Sequence, residues 1–64
     1  MYTVIYRRFT KRNVVSHLRH RRFGKLESAC EFGGREFARP DNFDTYLQLP
    51  SGRMMAFTKM YGLV

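Results

Sequence analysis

The chain has 64 residues, a formal net charge of +7, 44% apolar residues and 16% aromatics. That length allows one small domain, residues 1–64, with a limited core and marginal stability. Six Phe and four Tyr side chains argue against a disordered polyelectrolyte, and no run approaches the roughly 18 apolar residues of a membrane-spanning helix.

One cysteine, Cys30, leaves no internal disulfide and suits a reducing compartment. The segment YTVIYRRF is too short and too charged for the apolar part of an export signal, so a cytoplasmic location is the expectation. Charge is unevenly distributed. Residues 1–25 hold eight of the twelve Lys and Arg and no acid, and both histidines lie there. All five acids fall between Glu27 and Asp44. Clustered positive charge of this density favours polyanions.

Residues 2–9 are rich in β-branched and aromatic types and predict a strand. A loop over Thr10, Lys11, Arg12 and Asn13 leads to a second strand over 14–22. That hairpin sets Phe9 opposite Val14, Arg7 opposite Ser16 and Ile5 opposite Leu18. Ile5, Phe9, Val14 and Leu18 then form the expected core side. Tyr2, Val4, Tyr6, Arg8, Val15, His17, Arg19 and Arg21 occupy the other side. A basic helix over 12–22, with Val14, Val15 and Leu18 as its apolar side, is the rival reading.

A helix follows, with Gly24 as N-cap and Glu27 in its first turn. Leu26, Cys30, Gly33 and Phe37 recur at helical spacing, with Ala29 beside them. Gly33 and Gly34 either end the helix at Phe32 or let its back approach a sheet closely. The second alternative carries the helix to about Ala38, before Pro40. Leu49-Pro50-Ser51-Gly52-Arg53 predicts a tight hairpin with Gly52 left-handed. Its register places Leu49 opposite Arg53, Leu47 opposite Met55 and Thr45 opposite Phe57. Leu47, Leu49, Met55 and Phe57 face the core, while Tyr46, Gln48, Met54 and Ala56 face away. Tyr61 to Val64 extend the last strand or fray.

The expected architecture is a small α+β domain in ββαββ order, an antiparallel sheet with one helix packed on one face. One helix covers only one face of such a sheet, so the other meets solvent or a ligand.

No cofactor is implied. His17 and His20 lack further metal ligands nearby, and Gly33-Gly34 lacks the rest of a phosphate loop. Glu27 and Glu31 are like-charged neighbours on a solvated helix side. The chemistry that remains is cationic and aromatic. On the open sheet face Tyr2, Tyr6, Arg8, His17, Arg19 and Arg21 interleave rings with cations, which suits bases and phosphates, and Lys11, Arg12 and Arg22 extend the positive surface past the hairpin ends. The expectation is a non-enzymatic nucleic-acid-binding accessory protein, for DNA or RNA. The alternative is an adaptor or inhibitor docking on an acidic protein surface, since aromatic and Arg residues also make interface hot spots. An RNA-cleaving toxin using His17 or His20 with Arg19 and a tyrosine is third. Two free sheet edges suggest edge-to-edge homodimerisation. In size and composition the chain is similar to accessory proteins of phages and mobile elements.

Overall fold

A computed structural model describes residues 1–57. The elements are β1 (Tyr2–Arg8), β2 (Arg19–Phe23), α1 (Leu26–Phe37), β3 (Asn42–Gln48) and β4 (Met54–Ala56). This is the ββαββ order expected from the sequence. The four strands form one antiparallel sheet in the order β2-β1-β3-β4. β2 and β3 both run antiparallel to β1, and α1 carries the chain from one side of β1 to the other. The expected extension over Tyr61 to Val64 lies outside the described residues.

The β3–β4 hairpin forms in the predicted register, with Tyr46 opposite Ala56 and Leu47 opposite Met55. Leu49 N–H donates to the Arg53 carbonyl and Gly52 N–H to the Leu49 carbonyl, each at 2.8 Å. Gly52 closes the turn with φ +92°. That conformation is strained for any side chain bearing Cβ, so Gly52→Ala is expected to destabilise the domain by about 1 kcal/mol. Thermal melting of the two proteins checks this.

The first hairpin differs from expectation. β2 begins only at Arg19, and between the strands the sole ladder contact is a bridge from Phe9 to Val15. The turn is closed by Thr10. Its N–H donates to the Val14 carbonyl at 2.8 Å, and its Oγ1 accepts from Val14 N–H at 3.2 Å. Asn13 takes a left-handed φ of 58°, which asparagine tolerates. Irregular residues 14–18 shift the register, so Ile5 opposes His20 rather than Leu18. The rival helix over 12–22 does not form.

The shift of two residues preserves which side chains share a face, but the covered face is the reverse of the expected one. Val4 and Leu47 are fully buried opposite one another, with Tyr6, Ala29 and Phe57 beside them. Tyr2, Phe23, Cys30, Phe32, Phe37 and Leu49 pack around this cluster. Ile5 lies on the uncovered side, and Leu18 and Val14 are exposed. The reason is pairing across the sheet. β1 lies beside β3, and register sets Val4 against Leu47, whose side is fixed by the β3–β4 hairpin.

The helix bounds are close to those expected. Lys25, rather than Gly24, is the N-cap, and it supplies no side-chain cap. The buried stripe is Ala29, Gly33 and Glu36, so the helix is rotated away from Leu26, which remains exposed. Gly33 is the close approach. A Cβ there would lie 2.1 Å from the Phe57 ring. Among the described residues no helix is long and apolar enough to cross a membrane.

Candidate nucleic-acid interface

Cations on this fold divide into those held by acids and those facing water. Three arginines are held. Arg8 makes a two-pronged contact with Glu36, Nε to Oε2 at 2.7 Å and Nη2 to Oε1 at 2.6 Å. The Glu36 side chain is 2% exposed and that of Arg8 25%. The hydrogen bond to Glu36 raises the Arg8 guanidinium above its ordinary value, with burial acting against it. Arg7 forks onto Asp44, its Nε donating to Oδ1 at 3.1 Å. Arg39 forks onto Asp41 at 2.9 and 3.2 Å, which raises Arg39 and lowers Asp41. These forks neutralise Glu36, Asp41 and Asp44, leaving Glu27 and Glu31 on the exposed side of α1.

The unheld cations concentrate on β2. Its residues Arg19, His20, Arg21 and Arg22 are all exposed, and β2 is an edge of the sheet. None of its three arginines forms an ion pair among the described residues. Strand alternation sends them to both sides. Arg19 opposes Tyr6 and Arg21 opposes Val4 on the helix side, while His20 opposes Ile5 and Arg22 opposes Thr3 on the uncovered side. The result is a positive ridge rather than a positive face. Lys11, Arg12 and His17, also exposed, continue it into the turn and the segment leading to β2.

This corrects part of the sequence-based interface. Tyr2, Tyr6 and Arg8 were expected on the uncovered sheet face, interleaved with Arg19 and Arg21. All five lie instead on the helix side. Tyr6 is 9% exposed and packs edge-on against Phe32 at 5.6 Å. Tyr2 packs against the core, and Arg8 is committed to Glu36. Burial decides against Tyr6 as a stacking surface, because its ring already has partners. Arg21 stays accessible while its guanidinium lies 5.2 Å from the Phe32 ring centroid and 5.8 Å from that of Phe23. With Arg8, Arg35, Arg39, Phe32 and Glu36 it lines a shallow cleft beside the helix.

The uncovered face carries Thr3, Ile5 and Arg7 of β1, His20 and Arg22 of β2, and Asp44, Tyr46 and Gln48 of β3. The sequence reading places Ile5 in the core and so leaves Ile5 and His20 out of the interface, whereas Tyr46 already faces away from the core in that reading. At one end of this face β3 bulges. Arg7 pairs with Asp44 and Arg8 with Asn42, so Phe43 is the extra residue. Its ring meets Phe9 edge-on, centroids 5.2 Å apart at 88°, and the Arg7 guanidinium lies 5.1 Å from it. Phe43 had no role in the sequence reading, since a bulge leaves no mark on alternation that one strand alone reveals.

Among the described residues no group of three or more His, Cys, Asp and Glu side chains is arranged to hold a metal. No protein-family model, curated protein or solved structure matches the chain.

Proposed function

We propose that this chain is a non-enzymatic nucleic-acid-binding accessory protein, DNA or RNA, that grips the phosphate backbone along β2 and the preceding turn. The observation that supports this most is the exposed edge strand Arg19 to Arg22, positive on both sheet faces and unpaired with acid among the described residues. An edge strand of this kind repels a second copy of itself, since pairing would set cation opposite cation. That disfavours a homodimer through β2 and leaves the ridge for a polyanion. Guanidinium groups match phosphate oxygens with paired donors. Within this reading the backbone ligands are Lys11, Arg12, His17, Arg19, Arg21 and Arg22, joined by His20.

The test is the salt dependence of binding. Contact with about four to six phosphates makes log K fall against log salt with a slope of roughly −3 to −5. Replacing Arg19, Arg21 and Arg22 together by glutamine is expected to flatten that slope by about 2 to 3, while thermal melting verifies the fold. An unchanged slope would move the phosphate contacts elsewhere. Failure to bind any nucleic acid, with retention of an acidic protein partner after nuclease treatment, would favour the adaptor or inhibitor reading.

A further inference from the structure

We infer that the site takes single-stranded nucleic acid, with Phe9 and Phe43 stacking on unpaired bases at the bulged end of the uncovered sheet face. The inference rests on the nucleic-acid reading above and specifies its substrate class. Phe9 and Phe43 are 39% and 44% exposed, yet they touch one another and together leave ring surface in water. A scattered surface phenylalanine needs no explanation. Two in contact do, when one is the extra residue of a bulge, a device that re-aims a side chain out of its regular direction.

The surroundings suit a polyanion. Two acids lie at this end: the Arg7 fork neutralises Asp44 while holding the guanidinium over Phe43, and Asp41, whose carbonyl accepts from Phe9 N–H at 2.7 Å, is held by Arg39. Lys11 and Arg12 follow Phe9 within three residues, in a turn closed by Thr10 and Val14. In the other direction, Ile5 and Tyr46 form a floor flanked by His20 and Arg22. From Thr3 to Phe9 this face runs about 20 Å along β1. Cations line the path and aromatic rings end it, which is the arrangement that binds single strands. A duplex keeps its bases stacked on each other and offers these rings nothing.

Fluorescence anisotropy with labelled short oligo-dT, oligo-U and a duplex of equal length, at fixed salt, tests this. Both single strands are expected to bind more tightly than the duplex, and the ratio of dT to U separates DNA from RNA. Phe9→Ala and Phe43→Ala are each expected to weaken single-strand binding by about 5- to 150-fold, leaving duplex affinity and the salt slope unchanged. Should an alanine variant fail to fold, Phe9→Leu and Phe43→Leu keep apolar volume, remove the ring and carry the same expectation. If the β2 variant flattens the salt slope but the leucine variants change single-strand affinity by less than about twofold, stacking is overturned and backbone binding stands. If no oligonucleotide binds, both fall together.

Discussion

Arg8→Ala is expected to cost about 3 kcal/mol of stability, the lower end of the range for breaking a buried ion pair, because a quarter of the Arg8 side chain stays in water. The loss comes from what remains. Glu36 is 2% exposed, and without the guanidinium its carboxylate is left in the interior with no ionic partner among the described residues. A domain of this length holds only about 3 to 10 kcal/mol in total, so the substitution removes about a third or more of its stability. Urea denaturation measures it. Arg8→Met combined with Glu36→Leu is expected to recover most of the stability, since a matched apolar pair replaces a pair that was costly to desolvate. Arg39→Ala is the control. Both partners there are more than 40% exposed, and little change should be measurable. A small effect of Arg8→Ala, equal to that of Arg39→Ala, would mean that the Glu36 pair is solvated.

Adjacent glycines should respond in opposite directions. Gly33→Ala is expected to destabilise by about 1 to 3 kcal/mol, because the new methyl would meet the buried Phe57 ring at 2.1 Å and the core must shift to admit it. Gly34→Ala meets nothing within 4 Å and is expected to stabilise by up to about 1 kcal/mol, the helix-propensity difference between the two residues. Thermal melting of both variants decides. Stabilisation by Gly33→Ala would show that the ring can step aside. The pair also isolates packing from propensity, since both positions lie in the interior of α1.

The glycine pair of α1 marks where short-range signals end. Two successive glycines left open whether α1 stops at Phe32 or continues past them. Nothing local separates a helix-ending glycine from one that lets a ring approach; the answer lies in Phe57, distant in the chain. The same holds for Glu36. Helical spacing places it beside Gly33 and Phe37, but its burial depends on Arg8, 28 residues away. For the interface, the cations of β2 were legible from the clustering of charge along the chain. Phe9 and Phe43 as a surface pair were not, because Phe9 was assigned to the core side and the bulge at Phe43 exists only in the pairing of β3 with β1.

By itself the sequence determined the ββαββ order, the start of α1 to within a residue, and the register of β3 with β4. Each of these rests on short-range rules: alternation, helical spacing, proline before a break, and a left-handed glycine in a tight turn. It also determined that positive charge gathers before Lys25. Only the tertiary structure decided which face of β1 the helix covers. The segment YTVIYRRF places apolar side chains at both parities, Val4 and Tyr6 on one and Ile5 and Phe9 on the other, so alternation offers no preference. Pairing with β3 breaks the tie by aligning Val4 with Leu47. That one register sends Tyr6 into the core, leaves Ile5 and Phe9 outside it, and turns Arg19 to Arg22 from one half of a binding face into a ridge along the sheet edge.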